Sequence, residues 1–169
     1  MAKIILLCGK VCSGKSRYAG MLERQGGAVT LSCDELMLIL FDEQLGERHE
    51  EILCRTKAYL FKLAVRVARA GVDVILDFGF WTKSERRETR SYFESRGLAV
   101  ELHYVKVSAE TQLRNIDARN RGYKAGTGNY RIDEGMRRLF ARQFEEPGDE
   151  EVDVLFENTR DDENDVKPG

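Results

Sequence analysis

The sequence predicts an α/β domain: five strands in a parallel sheet, with helices on both faces. Three observations predict it. Short apolar, β-branched runs alternate with longer segments of helical periodicity. The first run leads into Gly9–Ser16, GKVCSGKS, which fits G-x-x-x-x-G-K-[ST]. A later apolar run, Val72–Leu76, ends in an aspartate, Asp77.

The chain of 169 residues is long enough for one domain with a proper core. With 42% hydrophobic and 33% charged residues it has the make-up of an ordinary globular protein. It has no apolar run of transmembrane length, and its first residues lead straight into a strand rather than a leader. No membrane association is therefore expected. Cys8, Cys12, Cys33 and Cys54 lack metal-type spacing, so a reduced, cytoplasmic chain is the expectation. The net charge of −2 is unevenly spread. Residues 145–169 hold eleven acidic and two basic side chains, and the body before them is net positive. A basic body suits polyanionic ligands such as nucleotides.

The first strand is Lys3–Cys8, apolar throughout as a strand buried on both faces should be. After the loop, Tyr18, Ala19, Met21 and Leu22 mark a helix from Lys15 to Gln25. Strand, glycine loop and helix together make a phosphate-binding device. Between Gly9 and Arg17, the backbone N–H groups of Lys10, Val11, Cys12, Ser13, Gly14, Lys15 and Ser16 would wrap the β-phosphate of a nucleotide at a helix N-terminus. Lys15 would reach the β- and γ-phosphates, and the Ser16 hydroxyl would ligate Mg²⁺. Gly9 and Gly14 are expected where the backbone takes unusual angles.

Gly26-Gly27 breaks the helix, and Ala28–Ser32 reads as the second strand. Asp34 follows its C-terminal end, where an open α/β sheet presents its ligand crevice. It is either a general base for a hydroxyl acceptor or the cap of a helix starting near Leu36. Residues 42–51 read as a polar turn, and the longest helix runs from about Glu50 to Ala70. Asp77 closes the third strand in the manner of a Walker B element and would assist Ser16 at Mg²⁺. Phe78, Phe80 and Trp81 either line an acceptor pocket or pack the corner.

Thr82-Lys83-Ser84-Glu85 is a capping box opening a helix to about Ser95. Of its Arg86, Arg87 and Arg90, one could face the crevice, with a solvated face expected for most. Leu98–Val107 is the fourth strand, and its His103 reads as structural. A helix from Ser108 to about Arg119 precedes a basic, glycine-rich loop, Asn120–Asn129. A flap there, spanning about residues 108–131, would exclude water and set arginines on the transferring phosphoryl group. A solvated basic loop is the alternative. Ile132–Phe144 is a helix stopping before Pro147, and Val152–Phe156 is the last strand. Residues 1–157 form the domain, and residues 158–169 form an acidic tail expected to be disordered.

In these features the chain resembles the P-loop kinases. Within them it is most similar to the small AAA-type ATP-binding kinases grouped with the 5′-kinase domain of polynucleotide kinase, zeta toxins and chloramphenicol phosphotransferase. The resemblance spans residues 3–157. It rests on Gly9–Ser16, Ser32–Glu35, Val74–Trp81, Arg119-Asn120-Arg121 and Phe144–Pro147. It implies a P-loop NTPase fold of three layers, strand order 2-3-1-4-5, an arginine lid, ATP–Mg²⁺ as donor and Asp34 as base. Arg119 and Arg121 would close over the donor, with Arg114 against the adenine. Where polynucleotide kinases carry an arginine for an acceptor phosphate, this chain has Met37, which favours a smaller or less charged acceptor. The expected activity is transfer of the γ-phosphoryl of ATP to a hydroxyl on a small molecule, nucleoside or nucleic-acid end. A nucleotide-binding switch that controls a partner is the rival.

Overall fold

The computed structural model describes residues 1–41, 46–123 and 131–159. In chain order the elements are β1 (Lys3–Cys8), α1 (Lys15–Arg24), β2 (Ala28–Ser32), α2 (Cys33–Leu40), α3 (His49–Arg69), β3 (Asp73–Gly79), α4 (Lys83–Glu94), β4 (Ala99–Val107), α5 (Ala109–Arg121), α6 (Glu134–Gln143) and β5 (Val154–Asn158). The strands form one parallel sheet in the order β2-β3-β1-β4-β5. This is the expected P-loop NTPase fold.

Alternate residues of each strand serve opposite faces. Ile4, Leu6, Val74, Leu76, Val100 and Leu102 pack with Ala64, Ala68 and Phe93 from α3 and α4. Ile5, Leu7, Ile75 and Val105 pack with Tyr18 and Ala19 of α1. Being buried from both sides is what makes β1 continuously apolar. On the α1 face the Tyr18 hydroxyl lies 3.0 Å from His103 Nδ1, and Glu101 holds the other ring nitrogen. His103 is therefore structural, as expected.

All strands run the same way, so their C-terminal ends share one rim. β1 delivers the phosphate loop there, β2 delivers Asp34 and β3 delivers Asp77. Several boundaries differ from expectation. α2 begins at Cys33 because Ser32 caps it, its hydroxyl accepting the Glu35 N–H. That leaves Asp34 in the first turn rather than at the cap. α5 continues to Arg121, so Arg121 joins Arg119 in a helical turn and is not in the loop. β5 ends at Asn158, two residues beyond the expected strand. The residues expected as a turn at 42–45, as the flap tip at 124–130 and as tail at 160–169 lie outside the described residues.

Two of the three arginines of α4 are a correction, while Arg87 is exposed as expected. Arg86 is only 3% exposed and pairs with Glu151 at 2.9 Å. It also donates to the carbonyls of Phe80, Trp81 and Glu145. Burial opposes its charge, but the hydrogen bonds it donates to Glu151, with the negative charges nearby, outweigh that and raise its pKa. Arg90 donates to Val100 O and pairs with Asp153. Both bind the return of the chain toward β5, Arg86 buried and Arg90 still partly exposed.

Candidate active site

The loop between β1 and α1 owes its shape to two glycines and one strained cysteine. Gly14 takes φ 97° and Cys12 φ 55°, both left-handed. Gly9 does not need a positive φ, contrary to expectation. It is small because a Cβ there would lie 2.6 Å from Ser13 Oγ and 2.7 Å from the Val105 carbonyl. α1 begins with no side-chain cap and no acidic residue in its first turn. Its N-terminal N–H groups are left for an anion. Lys15 Nζ donates to the carbonyls of Gly9 (3.0 Å) and Lys10 (2.9 Å), which holds it across the loop.

Side chains from elsewhere brace this loop from outside. Gln112 and Asn115 of α5 each donate to a loop carbonyl, of Val11 and Cys12, at 2.9 Å. Asn158 at the end of β5 donates to the Ser13 carbonyl at 2.9 Å. Binding the carbonyls from behind leaves the N–H groups facing inward.

In front of the loop lies a cavity of about 1080 Å³. Lys15, Ser16, Asp34, Asp77 and Arg119 all line it. The Ser16 hydroxyl donates to Asp77 Oδ2 at 2.9 Å across the floor. Such a pair of hard oxygen donors suits Mg²⁺, which takes few protein ligands and keeps water and phosphate oxygens for the rest. Among the described residues no cluster of three or more acidic, histidine or cysteine groups offers a different metal site. Burial pulls the Lys15 pKa down, and the negative charge of Asp77 opposes that shift. Asp34 moves the other way. Burial within the cleft walls raises its pKa, Asp77 adds to the rise, and Lys15, Lys57 and Arg119 partly offset it.

A family model described as an AAA domain matches residues 4–147. The chain belongs to that family. The same fold is found in Chaetomium thermophilum Kti12 in complex with ADP-AlF3, at TM-score 0.67 and 19% identity, over 95% of this chain and 91% of that one. Mycobacterium tuberculosis APS kinase CysC, in complex with AMPPNP and APS, matches at TM-score 0.63 and 16% identity over 94% and 90%. An unliganded sugar kinase from Janibacter sp. HTCC2649 matches at 0.62 and 13% over 93% and 86%. At such identities the likeness is one of fold. No curated protein matches the sequence significantly.

Within this AAA domain the loop residues Val11 to Arg17 line the main cavity, whereas Gly9 and Lys10 do not. Lys10 faces a smaller hollow of about 340 Å³ between α5 and α6, its ammonium 5.9 Å from the Phe144 ring centre. Arg119 reaches the Cys12 sulfur at 4.0 Å. Arg114 and Arg121 are exposed on α5 away from the main cavity, and Arg114 pairs with Glu110. The three aromatics divide. Phe80 is buried core, while Phe78 and Trp81 line the cavity and also pack on Phe61 and Phe140.

Five charged lining residues were not among the expected site residues: Glu35, Lys57, Glu85, Arg142 and Glu145. Lys57 Nζ and Glu85 Oε1 form a half-buried pair at 2.7 Å. Glu85 was noted only as part of the capping box, and Glu35 and Glu145 only within the stretches that carry the resemblance. Glu85 donates its N–H to the capping Thr82 hydroxyl, while its carboxylate, which lines the cleft, accepts the N–H of Trp81, the residue before the cap.

Proposed function

We propose that this AAA-domain chain is an ATP-dependent phosphotransferase acting on a hydroxyl. The observation that carries the reading is the meeting of Lys15, the Ser16–Asp77 pair and Asp34 in one cavity. A switch needs the first two. A carboxylate of raised proton affinity across from them is what a hydroxyl acceptor requires.

In this reading the loop N–H groups and Lys15 hold the β- and γ-phosphates of ATP. Ser16 and Asp77 would hold Mg²⁺, which when bound neutralises charge on the phosphates. Asp34 accepts the proton of the acceptor hydroxyl. The acceptor oxygen bonds to the γ-phosphorus as the bond to the β,γ-bridging oxygen breaks, and ADP departs. Arg119 adds positive charge as negative charge shifts to the leaving oxygen. Arg17 and, entering from α6, Arg142 also line the cavity.

The test is transfer of labelled phosphate from ATP–Mg²⁺ to a panel of nucleosides, 5′-hydroxyl oligonucleotides and hydroxylated antibiotics. Label should pass to one class of acceptor and fall about a hundredfold or more in Asp34→Asn. Label released only as free phosphate, equally in the variant, would favour the switch.

A further inference from the structure

The two ends of the cavity differ in charge. The loop, α1 and α5 bring Lys15, Arg17 and Arg119 to the donor end. The facing wall is built by α2, α3, the entry of α4 and the exit of α6. It carries four carboxylates, Asp34, Glu35, Glu85 and Glu145, against two cations, Lys57 and Arg142. Lys57 is already committed to Glu85. Glu35 pairs with no described cation, and it sits one residue from Asp34 on the same helical turn.

Beside these carboxylates the wall is apolar. Leu38 and Ile39 of α2 and Leu53 of α3 line it, and Ile39 is 73% exposed. α2 offers no guanidinium to an anion: Met37 is buried, with its sulfur 3.3 Å from the Thr56 hydroxyl. Like charges brought together at a site cost several kcal/mol. An anion placed here would meet Glu35 directly. It would also hold Asp34 further toward its protonated form, in which it takes no proton.

We propose that the acceptor is an amphipathic alcohol bearing no anionic group, and that Glu35 is the residue that excludes anionic competitors. The apolar body lies against Leu38, Ile39 and Leu53, and the hydroxyl meets Asp34. The proposal rests on the phosphotransferase reading above. It removes phosphate-bearing nucleic-acid ends from the candidate acceptors. Specificity here comes as much from repulsion as from contact.

The test uses one aryl amino diol in three forms: the free amine, the N-succinamoyl amide and the N-succinyl acid. The last two match in size and differ in charge. Acceptor-dependent ADP formation is measured with the full chain and ATP–Mg²⁺. Binding is measured by calorimetry with the chain loaded with β,γ-imido-ATP. The acid should be poorer than the amide by about tenfold or more in both readouts. Glu35→Gln should narrow that gap and Glu35→Lys should close or reverse it, with melting temperatures showing that both variants fold. An acid equal to the amide, a gap untouched in Glu35→Lys, or no binding by any form overturns the proposal. Charge-selective, Glu35-dependent binding with no ADP formed from any form would sustain the charge selection and sink the transfer reaction instead.

Discussion

Asp34 lines a cleft that resists its charge, although the residue stays exposed to solvent. Its pKa is raised in the folded chain, chiefly by burial and then by Asp77. The folded state therefore bears a penalty above that pKa, and the penalty disappears as pH falls below the unfolded value. Asp34→Asn should melt higher than the parent at neutral pH, with the difference shrinking in acid, even as transfer is lost. As a base Asp34 must be ionised, so transfer should fall as pH drops through its raised pKa. Lys57 lowers that pKa. Lys57→Met should move the acid limb of the pH–rate profile upward, and an unmoved limb would exclude Asp34 as the titrating group. Lys15, Ser16, Asp34 and Asp77 were legible in the sequence because local rules fix them, as a motif or as the end of a strand. Arg86 was not. On a polar helix it looks like any solvated arginine, and only Glu151, 65 residues on, makes it a buried anchor.

At the scale of elements, α5, expected as part of a lid, works as a brace. Its Gln112 and Asn115 hold the carbonyls of Val11 and Cys12. Two such bonds contribute about 2 kcal/mol together. Replacing both by leucine should raise KM for ATP by about tenfold or more while leaving the fold intact, measured by initial rates and thermal melting. The sequence marked α5 as a helix but ended it at Arg119, because Asn120-Arg121-Gly122 reads as the start of a loop. The helix continues because the Asn120 side chain is occupied elsewhere. It accepts the Ile132 N–H at 2.9 Å and donates to the Ile132 carbonyl at 2.8 Å. Arg142 and Lys57 were missed for a related reason. Periodicity tells which stripe of a helix is apolar, not which charged residue on the other stripe meets a neighbouring element.

Over the whole molecule, the parallel sheet sets the cavity at one rim and fixes what a ligand must do to stability. Nucleotide that binds only the folded chain stabilises it by about 2.7 kcal/mol at a hundred times its Kd. ATP–Mg²⁺ should therefore raise the melting temperature of the wild type by several degrees and leave Lys15→Ala nearly unmoved. No described helix is long and apolar enough to cross a membrane. The fold was legible because alternating apolar runs and one phosphate loop restrict the architecture severely. The acceptor wall was not, since it draws single residues from α2, α3, α4 and the α6 exit, which no local pattern links. The pairing of Asn120 with Ile132 has a further consequence, for how this chain could be remodelled. It closes residues 121–131 into a separate stretch, tied off before either helix is disturbed. Lengthening such a stretch twofold costs only about 0.6 kcal/mol of closure entropy. Natural variation or design can therefore change the length of that stretch while the phosphate loop and the sheet rim stay as they are.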